Sequence, residues 1–259
     1  MIDKTAIISS QAKIAADVHI GPYTIIDDNV EIDSGTWIGP HVVIQGRTKI
    51  GKNNKIFPFV SLGGEPQHRN YAGEDTALEI GDDNVIHEYC SIHRGTVQGG
   101  GVTKVGNRNF LMAYVHVAHD CILDDDVTCM NNVTLAGHVV VGRHVGLGGF
   151  TKVLQFCHLG DYCFISADTG LVKDVLPYVL VAGHHDNQVK TFGLNVIGLR
   201  RHGFSEETLI NLKRAYKAIF RQNLTTEQVL PILTDMLSVC PEVGLMIEML
   251  QNTKRGVVR

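Results

Sequence analysis

The chain has 259 residues, 44% of them hydrophobic, with 23 basic and 27 acidic side chains and a formal net charge of −4. This much apolar material excludes a disordered chain, and nothing in the composition fits a coiled coil or a collagen. The mild negative charge, without a basic run, excludes a nucleic-acid partner, whose phosphates need cations to neutralise them.

The opening segment MIDKTAIISS has no long apolar run, and nothing later approaches the ~18 consecutive apolar residues of a membrane span. No integral membrane segment is expected, and a soluble, cytoplasmic protein is. The six cysteines form no Cys-x-x-Cys pair, so they read as reduced thiols and not as a disulfide frame or zinc ribbon.

From Ile2 the chain repeats with a period of six: Ile2, Ile8, Ile14, Ile20 and onward to Ile56 and Leu62. The phase returns at Ile80, Ile86 and Ile92, slips by one residue, and runs from Val105 through Leu111, Val117 and Leu123 to Leu171, with Cys129 the single non-aliphatic member. Period six fits neither an amphipathic helix nor an alternating strand. It predicts a parallel β-helix of three flat faces, one aliphatic per face pointing inward and 18 residues per coil. Its narrow interior favours Ile, Leu and Val over rings, in keeping with only 9 Phe, 7 Tyr and 1 Trp. Gly or Asn is expected at the corners. The hexapeptide class of β-helix winds left-handed, and that hand is taken from the class.

Two segments interrupt the repeat. Residues 63–79 skip two hexads without losing phase and are predicted to loop out, and the Gly-rich residues 98–103 form a second excursion. Such loops on a rigid scaffold commonly carry function. After Leu171, Pro177 and GHHDNQ make an exit segment. Helical spacing then groups Leu209, Leu212, Tyr216 and Ile219. Thr225 and Gln228 make a capping box for a second helix, which contains Pro231, and Pro241 opens a third with Leu245, Met246 and Met249. The predicted organisation is a β-helix over 1–192 and an α-helical domain over 193–259.

Stacking every 18 residues turns the repeat into a map. Asp120 falls under His138, and His119, Gly137 and Gln155 form the neighbouring column, with His116 on the same coil. Imidazoles beside a carboxylate suit general-base chemistry near neutral pH. Neighbours in a strand point to opposite faces, but at a corner Asp120 could orient His119. Gly137 lets a ligand approach the backbone, or offers an N–H to a developing oxyanion. Two other readings stay open here: a zinc site built from His116, His119 and His138, as in γ-class carbonic anhydrases, and a β-helix that only binds. His19, His41, His87, His144 and His158 read as surface decoration.

The segments SIHRGTVQGGG (91–101), HVAHDC (116–121), NNVTLAGHV (131–139), LRRHGF (199–204) and the ending RGVVR resemble the UDP-N-acetylglucosamine O-acyltransferase family, whose reaction is the first of lipid A synthesis in Gram-negative bacteria. The resemblance spans the whole chain. It implies a homotrimer with sites in clefts between prisms, no cofactor, and transfer of a 3-hydroxyacyl chain from the phosphopantetheine of acyl carrier protein to the 3-hydroxyl of the sugar nucleotide. By match, His119 is the general base, Asp120 orients it and Gly137 serves the oxyanion. Gln67, Asn70, His116, His138 and Gln155 line the substrate, Asn195, Arg201 and His202 lie at the nucleotide, and Ala167 marks the end of the acyl-chain ruler. Arg200, Arg201, Lys213 and Arg214 are candidates for a basic patch facing the carrier.

Several positions depart from the family pattern. An Asp-Leu-Lys-Tyr run becomes His68-Arg69-Asn70-Tyr71, a His-Gln pair becomes Leu154-Gln155, a Glu becomes Ile197 and the second Arg of a pair becomes His202. These changes fall on substrate contacts and leave the base intact, so a paralogue acylating a 3-amino sugar is an alternative acceptor reading. Lys190 or Arg69 would then replace the missing Lys.

Overall fold

A computed structural model describes residues 1–183 and 189–259. The last five residues of GHHDNQ lie outside the described residues. Strands of mostly two residues wind as a left-handed parallel β-helix, from β1 (Ile7–Ile8) to β25 (Gly170–Leu171). Every third strand pairs in parallel, giving faces of nine, eight and ten strands. We call these face 1 (starting with β1), face 2 (starting with β2, Lys13–Ile14) and face 3 (starting with β3, His19–Ile20). The repeat aliphatics stack in register inside, as in Ile20 on Ile38 on Ile56, and these three are fully buried. Each such burial contributes roughly 1.5–3 kcal/mol. At the open N-terminal end the pattern loses its effect: Ile2 is exposed, and Ile8 and Ile14 are half-buried, because no coil lies beneath them.

The corners meet the expectation of Gly or Asn only in part: Asn29, Asn53 and Asn132 hold left-handed positions. Their left-handed positions (φ near +60°) are held far more often by Tyr, Phe, His and Asp than by Gly: Tyr23, Phe59, Tyr89, Asp120, His138 and Phe156 are examples. The glycines that follow the repeat aliphatics serve close stacking instead. A Cβ at Gly21 would come within 2.7 Å of the Gly39 carbonyl carbon, and one at Gly148 within 2.4 Å of the Ala167 nitrogen. Most of the prism's aromatics are therefore on its outside, many of them at the corners, while Tyr178 is buried in the core.

Both insertions leave by the same edge, where face 1 turns into face 2. The first separates β10 (Ser61–Gly64) from β11 (Ala77–Ile80), so the segment outside the strands is 65–76 and shorter than expected. The second separates β13 (Ser91–His93) from β14 (Val102–Val105) and spans 94–101, with a 3-10 turn over Val97–Gly99. Arg94 holds the first loop down. Its guanidinium donates to the Gly63 carbonyl (2.7 Å) and to the Tyr71 hydroxyl (2.8 Å).

After β25 the chain adds β26 (Val179–Ala182) to face 3 and returns antiparallel as β27 (Lys190–Leu194), which runs across the 192/193 boundary. Four α-helices follow among the described residues: α1 (Val196–Arg201), α2 (Glu206–Arg221), α3 (Thr226–Met236) and α4 (Val243–Asn252). The six-residue α1 has too short a pattern to be read from spacing. Leu209, Leu212, Tyr216 and Ile219 are the buried face of α2, and the Thr225–Gln228 capping box and Pro231 are in α3. Met246 and Met249 are core. No helix among the described residues is long and apolar enough to cross a membrane, and all six cysteines are free and buried.

Candidate active site

The edge between faces 1 and 2 carries the Asp120–His138–Phe156 column, one residue per coil, with His119, Gly137 and Gln155 beside it. Strands β16 (His116–Val117), β19 (Thr134–Leu135) and β22 (Lys152–Val153) fix this register on face 1. Coil stacking thus places His119 and His138 together, with ring centroids 5.1 Å apart and nearly perpendicular.

The left-handed corner at Asp120 (φ 62°) turns its carboxylate back onto the preceding residue. Asp120 Oδ2 lies 2.8 Å from His119 Nδ1. The same carboxylate accepts from the Thr96 N–H (2.7 Å) and the Thr96 hydroxyl (2.6 Å), while the Asp120 N–H donates to Thr103 Oγ1 at 2.8 Å. The carboxylate accepts a hydrogen bond from a proton kept on Nδ1, which leaves Nε2 as the basic nitrogen. His119 and Asp120 are both buried. Gly99 must lack a side chain, because a Cβ there would lie 2.0 Å from the Asp120 Cγ. Thr96, Gly99 and Thr103 are missing from the sequence reading. The insertion at 94–101 brings Thr96 onto Asp120 from 24 residues away, where an 18-residue count does not look.

Gly137 flanks the imidazole: a Cβ there would sit 2.5 Å from His119 Cε1 and 2.9 Å from Nε2. Its N–H donates to no group among the described residues. From the first loop, His68 meets the His119 ring edge-on at 5.2 Å, and its buried Nδ1 has no partner. His138 stacks on Phe156 at 4.4 Å, with Nε2 3.7 Å from Asp120 Oδ2. Burial holds the His138 imidazole below its ordinary pKa, against the pull of the Asp120 carboxylate. His116 is also lowered, by burial and then by His93. Cys121 follows the site in the chain, but burial pushes its thiol up to about 12, so it stays protonated and is no nucleophile.

The zinc set of His116, His119 and His138 is not assembled. His116 Nδ1 is 2.8 Å from Ser91 Oγ and its ring packs on His93. The group of potential ligands among the described residues is His119, Asp120 and His138, and in it His119 and Asp120 already bond each other.

The other predicted residues are dispersed. Gln67 and Asn70 are exposed on the loop above the site, and Gln155 is exposed beside His138. Asn195, Arg201 and His202 lie on a different edge, between faces 2 and 3. Asn195 caps α1 by accepting from the Gly198 N–H, and its Nδ2 donates to the Tyr162 carbonyl at 3.0 Å. The His202 ring packs 4.5 Å from His144 and 5.4 Å from Tyr162, so His144 is less exposed than expected of surface decoration. Arg201 is exposed, whereas Arg200 is paired with Glu206 at 2.8 Å. Ala167 lies on the third edge, between faces 3 and 1, next to Asp168. Lys190 covers the Phe192 ring at the end of face 3. A groove of about 1080 Å³ between face 2 and α4 reaches the edge between faces 1 and 2 at His138 and Phe156.

A family model described as UDP-N-acetylglucosamine O-acyltransferase, domain 2, matches residues 174–258. The acyl-[acyl-carrier-protein]–UDP-N-acetylglucosamine O-acyltransferase of Alkalilimnicola ehrlichii is 49% identical over 258 residues, 100% of this chain and 99% of that protein. The crystal structure of the UDP-N-acetylglucosamine O-acyltransferase of Moraxella catarrhalis superposes with a TM-score of 0.97 at 46% identity, covering 100% of this chain and 99% of that one. The corresponding Acinetobacter baumannii structure gives 0.96 at 46% identity, with the same coverage.

Proposed function

The chain belongs to the UDP-N-acetylglucosamine O-acyltransferase family, and from that premise we propose how its own residues carry the reaction. The protein is an acyltransferase. It moves an acyl chain from acyl carrier protein to UDP-N-acetylglucosamine, the first step of lipid A synthesis. We take the donor to be a 3-hydroxyacyl thioester on the carrier's phosphopantetheine and the acceptor atom to be the sugar 3-oxygen.

His119 Nε2 removes the proton from the 3-hydroxyl as its oxygen attacks the thioester carbonyl. The tetrahedral oxyanion is met by the Gly137 N–H. Collapse breaks the C–S bond, and His119 returns its proton to the leaving thiolate. Asp120 acts through His119, fixing the tautomer and stabilising the imidazolium that forms. The observation that carries this reading is the 2.8 Å Asp120–His119 contact, with the Thr96 N–H and hydroxyl donating to the same carboxylate.

The active unit is a homotrimer working in the cytoplasm. One prism holds the base on the edge between faces 1 and 2, and Asn195, Arg201 and His202 on the edge between faces 2 and 3. We take two protomers to share the substrate, one supplying the base from its first edge and its neighbour supplying the nucleotide contacts from its second. His116, His138, Gln67, Asn70 and Gln155 line the sugar and pantetheine, and Ala167 limits the acyl chain. A basic surface on the 193–259 region faces the carrier. Mass spectrometry of products from UDP-N-acetylglucosamine and its 3-amino analogue tests the acceptor. An O-acyl product from the first is expected; turnover of the amino sugar alone would move the reaction to N-acylation.

A further inference from the structure

One short run of chain touches both sides of the base. His93 ends β13, and Arg94 and Thr96 open the second excursion. Thr96 grips the Asp120 carboxylate at 2.6 Å. His93 Nδ1 lies 2.6 Å from the Glu65 carbonyl, at the start of the first loop. Arg94 reaches further into that loop.

Arg94 is the costly member of the run. Its side chain is 12% exposed, and its ion-pair partner Glu65 is 3.8 Å away and itself 73% exposed. A pair so loose and so wet returns little, while taking a cation out of water is expensive. The fold nevertheless makes room for it. Gly46 holds a left-handed φ of 58°, and a Cβ there would stand 2.7 Å from Arg94 Nη1. An apolar side chain would fill this space at lower cost, so the charge is kept for where its donors point.

Those donors fix two points of the loop. Nη1 donates to the Gly63 carbonyl at 2.7 Å, where the loop leaves β10, and Nη2 to the Tyr71 hydroxyl at 2.8 Å. The guanidinium also lies 5.5 Å over the Tyr71 ring. Tyr71 passes the constraint on: its hydroxyl donates to the Glu74 carbonyl at 3.1 Å, and its N–H to the His68 carbonyl at 3.0 Å. Between these ties hang Gln67, Asn70 and His68, whose ring meets His119. A planar fork sets orientation in a way that an ammonium does not.

We infer that Arg94 is a positioning residue for the sugar nucleotide, acting through Tyr71 on the loop that carries Gln67, His68 and Asn70. This rests on the reading above that the loop lines the substrate, and adds what holds the loop in place. The same run of chain then aligns both sides of the base, Thr96 through Asp120 and Arg94 through His68.

Two conservative variants test it. Tyr71→Phe removes only the hydroxyl, and Arg94→Lys keeps the charge but loses the fork. Each should raise the KM for UDP-N-acetylglucosamine about tenfold, the worth of one hydrogen bond to a charged group, with kcat little changed. Amide exchange over 65–76 should quicken in both, while exchange in the coils should not. The double variant should be no worse than the poorer single one, because both break the same contact. A side chain that only stabilised the prism would instead lower the melting temperature and leave KM unmoved. Wild-type KM in both folded variants, or a KM that rises in Arg94→Lys but not in Tyr71→Phe, would overturn the inference. Gln67→Ala with Asn70→Ala separates the two levels: if that variant also keeps the wild-type KM, the loop does not line the sugar and the underlying reading fails.

Discussion

Gly137→Ala adds one methyl group against the base. The new Cβ would stand 2.5 Å from His119 Cε1 where ordinary contact begins near 3.4 Å, so the ring must recede by about 0.9 Å. It has little room to do so, being tied to Asp120 at 2.8 Å and flanked edge-on by His68 and His138. Gly137 does not have a left-handed φ, so the substitution adds no backbone strain and keeps the N–H. Misplacing a reacting group by about 1 Å costs on the order of 100-fold in rate, or roughly 2.7 kcal/mol of activation free energy. We expect kcat for acyl transfer to UDP-N-acetylglucosamine to fall about 100-fold, with the sugar nucleotide KM and the melting temperature little changed. Steady-state kinetics with purified acyl carrier protein, run beside thermal unfolding, measure each part. A Gly137→Ala enzyme with full kcat would show that the His119 ring position does not limit the reaction.

Other perturbations separate the parts of the site. Thr96→Val removes the hydroxyl that donates to the Asp120 carboxylate at 2.6 Å; hydrogen bonds to charged groups are worth about 1.5–3 kcal/mol, so kcat should drop roughly tenfold or more, and a wild-type rate would refute the role given to Thr96. His68→Ala uncovers the buried His119 ring, so diethyl pyrocarbonate should modify His119 faster, as followed by peptide mass spectrometry; an unchanged rate would mean that His68 does not shield the base. His116, His138 and His202 all titrate below the ordinary histidine value, chiefly because of burial. The unfolded chain therefore binds protons first, and stability should decline as pH falls below about 6.5 toward the folded-state values. Urea midpoints at neutral and mildly acidic pH should show that slope, and His116→Asn should flatten it; equal slopes in both proteins would contradict the burial argument.

Most of the prism was legible because a period of six has one structural solution, and 18-residue stacking then set Asp120 beneath His138 and His119 beside Gly137. The reading failed where that count breaks. Thr96 reaches Asp120 only because the excursion at 94–101 folds back over the corner, and Gly99 is required by the carboxylate it covers. Neither follows from spacing. The role of the glycines was misassigned because close coil stacking and corner dihedrals both favour Gly, and a sequence does not say which acts. Ile2 kept the pattern but not the burial, since an end coil has no neighbour below it. The separation of His119 from Asn195 and His202 onto two edges depends on how the chain leaves the last coil, and residue order alone does not reveal it.

The central claim is that His119 takes the acceptor proton. Positioned general bases contribute about 10²–10⁴-fold. In single-turnover acyl transfer from hydroxyacyl carrier protein to UDP-N-acetylglucosamine, His119→Ala with native circular dichroism and unchanged mass in solution should lose at least about 100-fold in the chemical step. A folded His119→Ala protein transferring acyl chains at the wild-type rate would contradict the account.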